Sequence, residues 1–479
     1  MTGGPMRHIA ACLMILTIAL TGCKRDLPLT TTSPEAEHLY RQGVRQYERF
    51  FYSESKDFFE KAIGLDSSFA MAWTRLGIVY LAIRDEPEAL VCLLNAMRQS
   101  DKVSERERLF IHMWYYRVTF DSKTSAAVAD SLALRYPQEK EVYLFRGNLY
   151  EQAKNYEAAI RSYQKAIQTD TGYALAVMTL GYAYSSIGEQ EKAVVQMQRY
   201  IRLAPDEPDP RASYADILLR AGRFDEALEQ YQESLRLKPD YWYSLRQIGE
   251  IDAIKGKLKE AEKEYHVSMQ YLPQNRQLES TEAQLRGGLE YLRGNYPAAV
   301  TLYRQALASD TLNLDAAFGL LGTYARTGRF AEAHDAIARV YDEFRIRELL
   351  NSPAMAALFV MRSFVLMHEG KLPEALHACD SALNYSSSLA RAAVYRQMAE
   401  VYLRERSFEQ GLGACEDGLT LTPNSPEILL TLTRLYAAKG DHRMAAEIGS
   451  RLLDLWNSAD PDFEYRREVL QLTGHSPVH

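Results

Sequence analysis

Cysteine is scarce in this chain. Its five residues, Cys12, Cys23, Cys92, Cys379 and Cys415, show no CxxC spacing, which speaks against a zinc site or a dithiol redox centre. Catalytic signatures are missing as well. There is no GxxxxGK[ST], no GxSxG and no HExxH, so the chemistry of phosphate loops, nucleophile elbows and zincins has no carrier. The stretch "GLGACEDG" is rich in glycine, but a phosphate loop must follow a strand, and Gly411 and Gly418 read as small packing positions on a helix. The ten histidines are scattered; His368 and His377 fall on different helices, and His112 reads as a packing residue. No cofactor, no metal and no enzymatic activity is expected. Charge of one sign is not concentrated either. The formal net charge is −7 without a Lys/Arg cluster, which excludes a nucleic-acid footprint.

Long apolar runs are limited to one, Ile9 to Gly22, of 14 residues. At ~1.5 Å per residue it reaches roughly 21 Å, short of the ~30 Å hydrocarbon core. Arg7 stands before it and a small residue, Gly22, closes it, as in a cleaved export signal. Met6, directly before Arg7, offers a second start. Lys24 and Arg25 behind the run weaken an anchor reading. Leu20-Thr21-Gly22-Cys23 resembles the lipobox of bacterial lipoproteins. That resemblance implies removal of residues 1–22 and lipidation of Cys23, with residues 23–35 a flexible tether. Lys24 after the cysteine resembles, in enteric-type bacteria, the pattern of release to the outer membrane.

What the chain does have is a repeat. A column of small residues runs Ser55, Ala89, Ser125, Ala159, Ala193, Ala227, Ala261, Ala299, Ala333, Ala375, Gly411 and Ala445, and seven of its eleven steps equal 34 residues. A partner column holds Gly43, Gly77, Gly147, Gly181, Ala215, Gly249, Gly287, Ser363 and Ala399. Two helices approach closely only where side chains are small, so each period reads as one helical hairpin. Aromatic knobs such as Phe59, Tyr163, Tyr231, Tyr265 and Tyr303 fill the gaps opposite. Pro137, Pro205, Pro239, Pro273 and Pro423 end second helices, because proline cannot continue one. "RAGRF", "AIKGK" and "RTGRF" place glycine in the turns. Cys379 and Cys415 hold equivalent positions of adjacent periods. Packed helix axes lie ~8–10 Å apart, beyond disulfide reach, so both are expected as free core thiols.

Trp73, Leu76, Gly77, Tyr80 and Ala89 stand at the spacings of the tetratricopeptide repeat, and with the columns the chain is identified as such an array. The expected fold is all-α, a right-handed superhelix (α-solenoid) of about twelve hairpins. Residues 36–273 hold seven units, the third ("SERERLFIHMWYY") degenerate, and residues 280–457 hold five. Extra residues near 275–279 and 345–354 are candidate joints. Residues 458–479 form a capping helix and tail, begun by Asp460 and Pro461 as cap and first-turn proline.

The resemblance places a ligand groove on the first helices. In that register it is lined by Tyr40, Val44, Tyr47, Met71, Ile78, Leu81, Phe110, Trp114, Met178 and Tyr182, turning mixed at Asp209, Asp216, Tyr243, Arg246 and Glu250. A second reading packs Phe110 and Trp114 between irregular helices of the third unit. Asn148 stands at the Asn position of the family's carboxylate-gripping pair, but Leu144 replaces the Lys. The function implied is a lipid-anchored scaffold for protein or peptide segments with apolar anchors. It would sit at the bacterial cell envelope, on the outer membrane facing the periplasm, held by the lipid on Cys23 and without nucleic acid. The alternative is a surface lipoprotein that captures glycan or another small ligand.

Overall fold

The computed structural model describes residues 28–474 apart from 84, 273–275, 312, 347–353 and 387. The lipobox with Cys23, residue 275 of the first expected joint and residues 347–353 of the second lie outside the described residues. Among those described, every regular element is helical: 25 α-helices and one short 3₁₀ turn. The chain divides into two compact units, one up to Pro137 and one from Gln138 onward.

The first unit holds three hairpins. These pair α1 (Pro34–Glu48) with α2 (Tyr52–Leu65), α3 (Ala70–Ala82) with α4 (Glu86–Gln99), and α5 (Glu105–Val118) with α6 (Ser122–Arg135). The second unit holds nine more and a final helix. Its pairs are α7 (Lys140–Gln152) and α8 (Tyr156–Thr169), α9 (Ala174–Ser186) and α10 (Gln190–Leu203), and α11 (Pro208–Arg220) and α12 (Phe224–Leu237). Next come α13 (Trp242–Ile254) and α14 (Leu258–Met269), α15 (Arg276–Leu292) and α16 (Tyr296–Ser309), and α17 (Leu314–Arg326) and α18 (Phe330–Ile346). The last are α19 (Ala354–Glu369) and α20 (Leu372–Tyr385), α21 (Ser388–Glu405) and α22 (Phe408–Leu421), and α23 (Pro426–Lys439) and α24 (His442–Leu455), followed by α25 (Glu464–Thr473).

The small columns make the hairpins. Every member of the second-helix column is buried, nearly all at 0% exposure. Opposite it, a methyl group on Gly43 would lie 2.7 Å from the Phe59 ring, and one on Gly147 only 2.2 Å from Tyr163. The first-helix glycine is therefore the socket for the second-helix aromatic knob. Where serine replaces alanine, its hydroxyl donates across the hairpin, Ser55 to the Gly43 carbonyl and Ser125 to the Met113 carbonyl, each at 2.9 Å. This satisfies a buried donor that would otherwise destabilise the interface. The turn between helices needs one left-handed residue, supplied by Gly222 at φ +70° and Gly256 at φ +74°. Phe120 and Lys154 occupy the same turn position at φ 59° and 58°, a conformation L-residues adopt at a cost.

The second unit closes on itself. Trp456, just past α24, donates from its indole to the Ile254 carbonyl at 2.9 Å, and Phe463 packs against Gly256. One continuous core joins α13–α15 to α21–α25, from Leu258, Tyr265 and Leu289 to Leu435, Trp456 and Val469. The expectation for Asp460 needs correction. α25 starts at Glu464 behind Phe463, and Asp460 instead accepts from Lys259 N at 3.0 Å while its own N–H donates to Gly256 O at 2.8 Å. It caps α14, whose own N-cap residue Lys257 makes no side-chain cap. Asp460 faces that distant turn because closure brings it there, so it is not available to its own helix.

Candidate binding surfaces

Eight of the ten expected groove residues lie in the first unit. Tyr40, Met71, Ile78 and Phe110 are buried there, each at most 5% exposed. They are packing residues of the core rather than a solvent-facing wall. The cause is a stack running between hairpins: the Tyr40 ring lies 5.7 Å from Phe59 and 5.1 Å from Phe69. Arg75 donates to the Tyr40 hydroxyl at 3.1 Å and sits 5.2 Å over Phe110. Val44, Tyr47, Leu81 and Trp114 remain half-buried on the first helices α1, α3 and α5. Of these, Leu81 and Trp114 lean on the Ala89–Leu93–Val118 core, in keeping with the packing reading of Trp114.

The N-terminal segment is held against the same unit. Thr30 donates from its backbone and hydroxyl to Glu107, at 2.8 and 2.6 Å. Thr31 and Thr32 donate to Asp66, at 2.6 and 3.0 Å, and Arg106 donates to the Pro28 carbonyl at 2.9 Å. Burial would raise the Asp66 carboxyl, but hydrogen bonds from Ser68, Thr31 and Thr32 outweigh it and hold the group down at about 2. The expectation of a flexible tether over 23–35 therefore fails for residues 28–33: Asp66 and Glu107 pin them.

In the second unit Met178 and Tyr182 are half-buried on α9. Tyr182 donates to Asp216 at 2.8 Å, joined there by Tyr243 at 2.9 Å and by Tyr231. Two turns earlier on the same face of α11, Asp209 accepts from Tyr200 at 2.8 Å and Tyr241 at 3.0 Å. Burial pushes both carboxyl groups above the usual carboxylate range. Asp209, Asp216 and Tyr243 are thus an internal hydrogen-bonded cluster, not the polar stretch of a groove. Asn148 is exposed, and its side-chain oxygen accepts the Tyr163 hydroxyl at 2.8 Å.

Sequence reasoning missed a cavity of about 960 Å3 inside the second unit. Its walls are mainly the first helices α13, α15, α17, α19, α21 and α23, with Tyr296 and Tyr303 of α16, and are completed by α25. One rung of the wall is an ion ladder. Arg434 pairs with Glu400 at 2.6 Å and with both carboxylate oxygens of Glu468 at 2.7 and 2.8 Å. Glu400, Arg434 and Glu468 stand 34 residues apart on successive inner helices, a signal the repeat register carries. Beside it Arg326 donates to Tyr296 at 2.9 Å and lies 5.2 Å from the Tyr291 ring.

Cys92, Cys379 and Cys415 are buried free thiols. Burial pushes Cys92 and Cys415 up to about 12 and Cys379 up to about 11, which keeps them protonated and unreactive. Among the described residues, no group of three or more His, Cys, Asp or Glu side chains has the arrangement of a metal site. No helix among them is long and apolar enough to cross a membrane.

Models of the tetratricopeptide repeat match residues 121–174, 150–217, 212–241 and 287–347. The chain carries tetratricopeptide repeats, and proteins built from them generally bind protein or peptide partners and are generally non-enzymatic. No curated protein gives a significant match. Among solved structures, yeast Tom70 is 13% identical over 92% of this chain and 95% of its own, with a TM-score of 0.38. A human IFIT1 dimer with PPP-AAAA is 16% identical over 90% and 96%, at TM-score 0.44. MamA is 25% identical over 33% and 93%, at TM-score 0.30.

Proposed function

We propose that this protein is a lipid-anchored scaffold that grips protein or peptide segments at a bacterial cell envelope, probing them with the first helices of its hairpins. The observation that carries the reading is a division of labour. The small columns and their knobs complete each hairpin interior, leaving Val44 and Tyr47 on α1, and the outer edges of Leu81 and Trp114 on α3 and α5, only half-buried. Half-buried aromatic and aliphatic side chains on adjoining helices suit a segment with apolar anchors.

The lipobox-like Leu20-Thr21-Gly22-Cys23 supports attachment at Cys23. The pinned threonines add a spatial term. Only Lys24 to Leu27 separate Cys23 from the segment fixed at Pro28, a reach of at most roughly 18 Å. An acylated Cys23 would hold the first unit close to the lipid surface, in the outer-membrane setting that Lys24 favours.

Two measurements test this. Intact mass of the protein purified from its membrane should show an acylated Cys23 as the new N-terminus; an unmodified thiol defeats the anchor. A photo-crosslinking residue at Tyr47 or Trp114 should capture one recurrent protein segment in cells, whereas one at exposed Leu134 on α6 should not. Equal capture at all three positions defeats the docking surface.

A further inference from the structure

Five glutamates and four arginines line the second unit's cavity, and every one of those glutamates has a hydrogen-bond or ion-pair partner. Glu400 and Glu468 are both taken by Arg434. Glu464 accepts from Tyr296 at 3.0 Å and lies 3.7 Å from Arg326. Glu250 accepts from Tyr265 at 3.0 Å, and Glu427 from Ser425 at 2.8 Å. On the basic side α21 carries Arg396 and Arg404, with Glu400 between them, two turns apart on one helical face. Both line the cavity, and among the described residues neither guanidinium has an ion-pair or hydrogen-bond partner. Arg404, His368 and Arg326 also share a register position on three successive inner helices. Their separations of 36 and 42 residues equal the steps between Gly411, Ala375 and Ala333. Burial, then the Arg404 and Arg326 charges, hold His368 below its usual value, and the Arg326 Nε is buried without an acceptor.

Facing these two unpartnered guanidiniums across the cavity stand Phe318, Met361 and Phe364. A concave space of this size with an apolar wall and convergent polar groups matches the ~300–1,000 Å3 of small-molecule sites. We propose that the ring binds a small amphiphile. Its anionic head, a carboxylate or phosphate, sits between Arg396 and Arg404, and its apolar body lies against Phe318 and Phe364. Guanidinium groups are the preferred partners of both heads because their planar donor pairs match two oxygens at once. This site is separate from the peptide-docking surface proposed above and does not depend on it.

Calorimetric titration of the full chain with 2-naphthoate, 2-naphthyl phosphate and neutral 2-naphthamide tests the inference. At least one anion should bind about tenfold tighter than the amide, and the better of the two names the head group. The double variant Arg396→Gln/Arg404→Gln should remove that preference while leaving the amide unchanged. Should it fold poorly, Arg404→Gln at its exposed position should still lower the preference, and Arg404→Lys should restore part of it. Gly322 lines the cavity, where an added Cβ meets nothing nearer than the Tyr291 hydroxyl at 4.0 Å. Gly322→Met should therefore obstruct all three probes. Equal binding of acid and amide, no binding of any probe, an undiminished double variant, or an unaffected Gly322→Met would each overturn the proposal.

Discussion

The two units finish their exposed ends by opposite means. In the first, the opening hairpins are covered by an extended strip, residues 28–33, held by threonine donors on Asp66 and Glu107. In the second, a helix closes the array through the Arg434–Glu468 pair, the Trp456 indole and the Asp460 cap. Solenoid ends must cover the apolar face that a next repeat would have hidden. The comparison teaches that a few residues suffice when buried carboxylates organise them, whereas joining two distant stretches of an array takes a helix and an aromatic anchor.

The largest effect should come from removing that anchor. Trp456 is 2% exposed, and Trp456→Ala should cost about 3–5 kcal/mol. In calorimetry it should lower the transition of the second unit and spare that of the first; an unshifted trace would mean the closure contributes little. Glu107→Ala is the mirror experiment. Glu107 is fully buried and serves both Thr30 and its own helix's capping box with Ser104, so its loss should cost about 2–3 kcal/mol in the first unit alone. Proteolysis should then cut residues 28–33 more readily.

The hairpin interiors, by contrast, should behave alike. Ala89→Leu in the first unit and Ala193→Leu in the second both overpack a fully buried position and should each cost about 1–3 kcal/mol. A cost in only one of them would break the claim of a common interior. Phe120→Gly should give the smallest change, a gain of about 1 kcal/mol, because it relieves a left-handed turn.

pH should separate the units again. The Asp66 carboxyl is lowered from 3.8 to about 2. Its contribution is present above the unfolded value and is lost as pH falls from about 4 through about 2, so the first unit should soften in acid. In the second unit burial raises Tyr163, Tyr200, Tyr231, Tyr241 and Tyr265 far above the ordinary 10.0. Unfolding frees those phenols to ionise, so stability there is intact below pH 10 and falls as pH rises beyond it. Asp216→Asn should leave this alkaline loss in place, since the phenols and not the carboxyl carry it.

The hairpin interiors were legible because their signal is local and periodic. Ala89 and its eleven equivalents mark a packing constraint that recurs whatever else varies. The turns, the proline stops and the free thiols followed from the same register. The groove was read less well. Position within a repeat tells which helix a side chain rides, but not whether the next hairpin covers it, and Tyr40, Met71, Ile78 and Phe110 are covered. The Asp209 and Asp216 clusters escaped because acidic residues in a polar-looking stretch carry no mark of burial; Tyr182, 34 residues before Asp216, was the available hint. Arg396 and Arg404 carry no mark in the sequence, because which arginines line a cavity depends on how the array closes.

The cap on α14 sets an order in time. Lys259 and Asp460 are 201 residues apart, so the second helix of the seventh hairpin emerges from the ribosome well before the carboxylate that finishes its first turn. At ~5–20 residues per second the wait is about 10–40 s, during which Gly256 and the neighbouring apolar face stay uncovered. The sixth hairpin waits as well, since its turn glycine Gly222 lies against Pro423 and Asn424 and its core meets Leu455. Late completion makes the interval after Leu258 is synthesised, and before Trp456 arrives, a stage at which the nascent chain is open to chaperones, proteases and aggregation.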